Sequence, residues 1–130
     1  MGEQMTSVTK KVLVAEDDRF LRRASVAALR SAGYTVIEAA DGEQAIRAAK
    51  AESPDLILLD LLMPIFSGLE VLHAIRAEDG TRDTPVIILS NSSRAEDIVE
   101  GQKLGVIKYL VKADISLQEL RDIVKEVFLE

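Results

Sequence analysis

The sequence has no cysteine and no tryptophan, and it has fewer basic than acidic side chains. Without cysteine the chain cannot form a disulfide or a thiolate metal centre. Its 16 lysine and arginine residues against 22 aspartate and glutamate residues give a formal net charge of −6. Because DNA binding depends largely on neutralising phosphate charge, this balance argues against direct contact with nucleic acid. It leaves room for a DNA-binding domain as a partner.

Long apolar runs are also missing. No run approaches the roughly 20 residues that span a bilayer, and the N-terminus has no apolar signal-peptide core. We therefore expect no membrane partner and a cytoplasmic location. The 130 residues, 48% of them apolar and 29% charged, suffice for one well-packed domain. We expect a flexible segment over residues 1–9, a domain over 10–128, and an end at 129–130 that is native or left by an expression vector.

Five short β-rich runs alternate with segments of helical periodicity. The first, third and fourth runs are almost continuously apolar, which is typical of central parallel strands covered on both faces. The second and fifth carry polar residues and are expected at the edges of the sheet. The five expected strands are Lys11–Ala15, Thr35–Ala39, Leu56–Leu59, Val86–Leu89 and Ile107–Val111.

The segments between the strands carry helix signals. The first has an apolar stripe that ends before Gly33, and the second begins at Asp41 and ends at Ser53-Pro54. Three capping-box patterns predict the beginnings of three further helices. The stripe consists of Phe20, Leu21, Ala24, Ala27, Ala28 and Leu29; the boxes begin at Ser67, Ser93 and Ser116, and their helices run to about Glu78, Leu104 and Phe128.

Five alternating strand–helix pairs predict an α/β fold, a parallel sheet with helices on both faces. Closing a (β/α)8 barrel takes about 250 residues, so the sheet must be open and doubly wound. Right-handed crossovers favour a single flavodoxin-like (βα)5 domain with strand order 2-1-3-4-5. Ligands bind such sheets at the carboxyl ends of the strands, where strands 1 and 3 are neighbours.

Acidic residues, a hydroxyl and a lysine follow the strands at that edge. Glu16 and Asp17 follow the first strand, Asp60 the third, Ser90 the fourth and Lys112 the fifth. Each alone has an ordinary interpretation as a loop acid, a helix cap or a surface charge. Three carboxylates close together repel one another unless a cation is present, and Mg2+ suits them. The set indicates phosphoryl transfer, with Asp60 as the nucleophile at the end of a rigid strand.

These residues and their flanking motifs resemble the response regulator receiver domain family, the CheY-like phosphoacceptor of two-component signalling. The resemblance covers about residues 10–128, and the intervals of 30 residues from Asp60 to Ser90 and 22 from Ser90 to Lys112 are typical of receivers. In order, the acidic-pair, phosphoacceptor, hydroxyl-bearing and lysine-bearing motifs are VLVAEDD (Val12–Asp18), LILLDLLMPIFSG (Leu56–Gly68), VIILSN (Val86–Asn91) and YLVKAD (Tyr109–Asp114).

The resemblance implies a role for each residue. Asp60 would accept a phosphoryl group, in a Mg2+-dependent reaction, from the phosphohistidine of a histidine kinase or histidine phosphotransfer protein. Asp17, Asp60 and the backbone carbonyl of Leu62 would bind Mg2+ directly, and Glu16 would bind it largely through water. Ser90 and Lys112 would hold the phosphoryl oxygens, and the aromatic side chain of Tyr109 would swing inward when Ser90 moves.

Phosphorylation would then switch a surface made by the fourth helix, the fifth strand and the fifth helix, roughly residues 94–128. A downstream effector protein or domain would read this surface. The resemblance implies a phosphoacceptor switch rather than an enzyme, with self-catalysed phosphorylation and dephosphorylation only. A homodimer that forms on phosphorylation, and the choice between a stand-alone regulator and one domain of a larger protein, stay open.

Several residues depart from the usual receiver pattern. Ala113 stands where most receivers have a proline in a cis peptide, and a cis bond without proline costs about 2.5–4 kcal/mol, which favours a trans Lys112–Ala113 bond. Asn91 replaces a small residue and should narrow access to the phosphoryl group. Neither Leu62 nor Ser92 is an acid or amide that could orient attacking water well. These residues predict slow self-dephosphorylation.

Two other functions stay open. A phosphatase of the haloacid dehalogenase type also uses an aspartate after a parallel strand, but it needs a second acid two residues on, where this chain has Leu62. A degenerate receiver that only binds proteins is the other alternative, and the presence of every chemical residue counts against it. His73, on the third predicted helix, is expected to be a surface histidine rather than a phosphorelay residue.

Overall fold

The structure is a computed structural model that describes residues 9–92 and 94–129. The segment predicted to be flexible falls, up to residue 8, outside the described residues, as do Ser93 and Glu130. The strands are β1 (Lys11–Ala15), β2 (Thr35–Ala39), β3 (Leu56–Leu59), β4 (Val86–Ser90) and β5 (Lys108–Val111). The helices are α1 (Arg19–Ser31), α2 (Gly42–Glu52), α3 (Gly68–Ala77), α4 (Ala95–Lys103) and α5 (Leu117–Leu129), and a 3-10 turn covers Lys112–Asp114.

The five strands form one parallel sheet in the order β2-β1-β3-β4-β5, which confirms the predicted flavodoxin-like fold. Ala15 at the end of β1 pairs with Ala39 on β2 and with Leu59 on β3. Ser90 at the end of β4 pairs with Val111 on β5. The residues that follow these positions therefore meet along one edge of the sheet.

Two apolar layers cover the sheet, because successive side chains of a strand point to opposite faces. On one face Leu13, Ile57 and Ile88 pack with Ala45 of α2 and Leu72 of α3. On the other face the alternate residues of the same strands pack against α1 and α5. That second layer includes Val12, Leu58, Ile87, Val26, Leu29, Leu120 and Val124.

Side chains cap four of the five helices, and the sequence predicted three of these caps, at Asp41, Ser67 and Ser116. Asp18 accepts a hydrogen bond from the Leu21 amide at 3.0 Å, and Asp41 accepts one from the Gln44 amide at 2.8 Å. The capping boxes at Ser67–Glu70 and Ser116–Glu119 form both of their hydrogen bonds. The fourth helix differs: its N-cap is Arg94, which makes no side-chain capping bond. The box predicted there begins at Ser93, outside the described residues.

The predicted apolar stripe of α1 is wrong at its beginning and also at Ala27, which is exposed. Phe20 is 83% exposed, and Leu21 is also exposed, whereas Ser25, Val26 and Leu29 are the residues that the helix buries. The first turn of α1 lies at the carboxyl edge of the sheet, beyond the end of β1, so the sheet does not cover it. Within the described chain, no helix is long and apolar enough to cross a bilayer.

Candidate functional site

The loop between β3 and α3 holds Asp60 in a fixed backbone position. The Asp60 amide donates to the Ala15 carbonyl at 3.0 Å, so the residue continues the pairing of β3 with β1. Gly68 lies so close to the loop that a Cβ atom there would overlap the Asp60 carbonyl oxygen, and its amide donates to the Leu61 carbonyl at 2.9 Å. A glycine is required because the two backbone segments touch.

Three carboxylates meet at this edge. Glu16 and Asp60 are only 6% and 4% exposed, while Asp17 faces solvent. One oxygen from each of the three lies within 4.8 Å of the others. Hard carboxylate oxygens in this number fit Mg2+, which binds through few carboxylates and keeps several waters. The structure thus brings together the acids that the sequence places after β1 and β3.

Lys112 joins two of these acids. Its Nζ donates to Asp60 Oδ2 at 2.8 Å and also forms an ion pair with Glu16. The lysine side chain is only 12% exposed, so solvent screens these contacts weakly. One ammonium therefore faces two buried carboxylates, and the site is rich in negative charge even with the lysine in place.

Burial and pairing shift the pKa values of this pair. Burial raises the pKa of Glu16 to about 7, although hydrogen bonds from Lys112 and the Asp18 amide lower it. For Lys112 burial lowers the pKa, but the hydrogen bonds and charges of Asp60 and Glu16 outweigh burial and leave the pKa raised. At neutral pH the lysine is charged, and Glu16 is partly protonated.

Ser90 begins a hydrogen-bonded chain that leads away from the acids. Its side chain is fully buried, and its Oγ accepts a bond from the Ser92 amide at 3.2 Å. The Ser92 hydroxyl donates to Asp97 on α4 at 3.0 Å, and the Tyr109 hydroxyl donates to the Ser92 carbonyl at 2.8 Å. One short loop therefore contacts the end of β4, the beginning of α4 and strand β5.

Leu62 lies beside the central aspartate with its side chain in solvent. Its amide donates to Asp60 Oδ1 at 3.1 Å, and the side chain is 65% exposed. The two Asp60 oxygens thus have different partners, a backbone amide on one and the Lys112 ammonium on the other. This pairing fixes the rotation of the carboxylate.

Arg22 is a residue of this site that the sequence did not reveal. Its Nη1 donates to the backbone carbonyls of Glu16 at 2.9 Å and Asp17 at 3.3 Å, and its Nε pairs with Glu38 at 3.2 Å. The residue lies one helical turn after the N-cap Asp18, on the side that faces the loop. That position is the only signal in the sequence, and it is a weak one.

The loop after β5 is tied to the loop after β4. Asn91 Oδ1 accepts a hydrogen bond from the Ala113 amide at 3.1 Å. None of the peptide bonds in the described segments is cis, in agreement with the expected trans Lys112–Ala113 bond. His73 is exposed on α3, as expected of a surface histidine, and its Nε2 lies 2.9 Å from Glu100 Oε2.

Comparison with known proteins identifies the family to which this chain belongs. A model of the response regulator receiver domain matches residues 12–125. The transcriptional regulatory protein PrrA of Mycobacterium tuberculosis is 42% identical over 108 residues, which are 82% of this chain and 46% of PrrA. The chain therefore spans less than half the length of this curated relative.

Solved structures show the same likeness. The chemotaxis protein CheY4 of Vibrio cholerae superimposes with a TM-score of 0.84 at 31% identity, over 92% of this chain and 99% of that one. The receiver domain of sensor histidine kinase PA1611 from Pseudomonas aeruginosa has a TM-score of 0.81 at 32% identity, over 92% and 97% of the two chains. The PA1611 structure has a magnesium ion coordinated in its active site cleft.

Proposed function

Because this chain belongs to the response regulator receiver domain family of two-component signalling, we propose that Asp60 is its phosphoacceptor. The donor is the phosphohistidine of a histidine kinase or histidine phosphotransfer protein in the cytoplasm. The observation that carries the proposal is the setting of Asp60: a buried carboxylate on a fixed backbone, bonded to Lys112 and within 4.8 Å of carboxylate oxygens of Glu16 and Asp17.

Glu16, Asp17 and Asp60, with the Leu62 carbonyl, are the residues that would hold Mg2+. The ion, when bound, supplies positive charge that stabilises the negative charge on the phosphoryl oxygens. An oxygen of Asp60 attacks phosphorus, the bond from phosphorus to the histidine nitrogen breaks, and the imidazole leaves. Lys112 then pairs with one phosphoryl oxygen and the Ser90 hydroxyl donates to another.

The chain that begins at Ser90 is the proposed route to the protein surface. When Ser90 turns toward the phosphoryl group, its bond to the Ser92 amide changes, and Ser92 is bonded to both Asp97 and Tyr109. Phosphorylation thus shifts the population of conformations over α4, β5 and α5. A downstream effector reads that surface. Since PrrA is a transcriptional regulatory protein, a DNA-binding domain is one effector that fits.

Phosphoryl uptake on a single aspartate tests the proposal. The wild-type protein, incubated with acetyl phosphate and Mg2+, should gain the mass of one phosphoryl group, and beryllofluoride should bind with Mg2+. Asp60→Asn should abolish both reactions because an amide is not a nucleophile here. Asp83→Asn, which changes an exposed carboxylate outside the site, is the matched control and should behave as wild type.

Three results would contradict the proposal. Uptake that persists in Asp60→Asn would place the phosphoryl group elsewhere. Failure of both reagents on the wild-type protein would support the degenerate receiver that only binds proteins. Turnover of a generic phosphomonoester would support the phosphatase, against which the exposed apolar side chain of Leu62 argues, because it offers no general acid.

A further inference from the structure

The 3-10 turn that carries Lys112 has an amide that its own segment does not satisfy. The first N–H groups of any helical turn lack partners within that turn. Here the N-cap residue is Val111, and it makes no side-chain capping bond. The Ala113 amide instead donates to Asn91 Oδ1 at 3.1 Å, across 22 residues of sequence. The side chain of Asn91 therefore caps this turn from another loop.

This cap lies next to the lysine of the site. Ala113 follows Lys112 directly, so a bond to its amide restrains the peptide plane that joins the two residues. The Lys112 ammonium must reach Asp60 and Glu16 from that backbone position. A shift of the turn moves the base of the lysine side chain, and the ammonium then loses its place between the two carboxylates.

Both ends of this hydrogen bond are residues that depart from the receiver pattern. A proline at position 113 would have no N–H to donate, and a small apolar residue at position 91 would have no oxygen to accept. Each departure thus supplies what the other requires. We propose that Asn91 is a positioning residue for Lys112, acting through the Ala113 amide.

The hydrogen bond from the Ala113 amide to Asn91 can be tested without phosphorylation. In the unphosphorylated wild-type protein, hydrogen exchange measured by NMR should show that the Ala113 amide is protected. NMR order parameters should show that the Lys112 ammonium is ordered. Asn91→Ala should increase the exchange rate of that amide at least about tenfold and lower the order parameter of the ammonium. Asn91→Asp places a carboxylate oxygen where the amide oxygen was and should retain the protection.

The consequence for chemistry rests on the proposed function of Asp60. Displacement of a reacting group by about 1 Å can cost up to about 100-fold in rate, and we expect Asn91→Ala to slow phosphorylation by acetyl phosphate about three- to tenfold. Asn91→Asp should restore most of that rate. Gln44→Ala is the matched control, because Gln44 is another exposed amide whose oxygen accepts a backbone N–H, from Ala40 at 2.8 Å.

The outcomes separate the two proposals. Unchanged exchange at Ala113 and an unchanged phosphorylation rate in Asn91→Ala would overturn the positioning role while leaving Asp60 as the phosphoacceptor. Faster exchange at the Ala113 amide with an unchanged order parameter of the Lys112 ammonium would also overturn it, because the effect of Asn91 would then be confined to the turn. A wild-type protein that takes up no phosphoryl group would refute the proposed function, and the exchange data would still test the positioning role of Asn91.

Discussion

Glu16 and Asp60 share one ammonium, and this sharing governs the chemistry of the site at the scale of single residues. Two buried carboxylates and one lysine leave an excess negative charge. Burial raises the pKa of Glu16 to about 7, so a proton on Glu16 is one way to remove that excess. A divalent cation would offset the same negative charge by binding to the carboxylates. A carboxylate must lose its proton before it binds the cation, so the two compete.

The raised pKa of Glu16 predicts that Mg2+ binding depends on pH. With a pKa of about 7, Glu16 is mostly protonated at pH 6 and mostly ionised at pH 8. Its proton competes with the cation, so Mg2+ affinity should fall as pH falls, by about tenfold over these two pH units. Calorimetric titration with Mg2+ at pH 6 and at pH 8 measures the two affinities. Glu16→Gln should bind Mg2+ with little pH dependence, and an equally steep profile in that variant would assign the proton elsewhere.

Leu62 predicts a long phosphoryl lifetime. Its side chain lies in solvent beside Asp60 and has no group that could orient water for attack on the acyl phosphate. Leu62→Asn should shorten the lifetime about tenfold, a fraction of what a fully positioned catalytic group contributes. The loss of radioactive phosphate from each protein in the presence of Mg2+ measures its phosphoryl lifetime. A wild-type half-life of seconds would contradict this explanation.

Single residues were predictable from the sequence where their position in the fold determined their neighbours. Asp60, Glu16, Asp17 and Lys112 each follow a strand, and parallel strands bring such positions to one edge. Arg22 and Asp97 act through side chains that leave a helix at particular angles. A sequence gives the register of a helix but not the loop atoms that lie opposite each side chain, so these residues were missed.

At the scale of elements, close backbone contact at the beginning of α3 supports the loop that carries Asp60. Gly68 touches the backbone of Asp60 and Leu61, and Gly42 at the beginning of α2 touches Phe66 in the same loop. Two helix ends thus hold the loop between β3 and α3. The sequence signalled the helix by its capping box at Ser67, but it gave no indication that the first residue of α3 has no room for a side chain.

Gly68→Ala should therefore weaken both the fold and the site. The added methyl group must displace the Asp60 carbonyl, and overpacking of this kind costs about 1–3 kcal/mol. We expect a lower free energy of unfolding in urea and slower phosphorylation, because Asp60 moves with its backbone. Gly80→Ala is the control, since its Cβ would meet no atom within 4 Å. Equal stability of the two variants would show that the loop yields without cost.

The elements themselves follow from the sequence to within one residue for every strand. The apolar runs determined β1, β2 and β3 with their observed bounds, whereas β4 extends to Ser90 and β5 begins at Lys108. The failure at Phe20 has a physical cause. Helical periodicity shows which residues share a stripe, but the length of the stripe that is buried depends on where the sheet ends beneath it.

At the scale of the whole molecule, the cluster of acids and the proposed signalling surface lie on different strands of the sheet. Asp60 lies after the central strand β3, while Tyr109 lies on the edge strand β5. The loop that follows Ser90 connects the end of β4 with α4 and β5, because Ser92 bonds to the Ser90 hydroxyl, to Asp97 and to Tyr109. A movement of Ser90 can therefore reach α4 and β5 through these hydrogen bonds.

Tyrosine fluorescence can measure this coupling, because the chain has two tyrosines and no tryptophan. Tyr34→Phe keeps the ring that packs against Phe128 and leaves Tyr109 as the only emitter. Beryllofluoride with Mg2+ should change the emission of this variant, since the Tyr109 hydroxyl leaves the Ser92 carbonyl when the loop moves. Adding Ser90→Ala should greatly reduce the change, because the first bond of the chain is lost. An undiminished change in that double variant, with beryllofluoride bound in both proteins, would show that the signal reaches Tyr109 by a route that does not include Ser90.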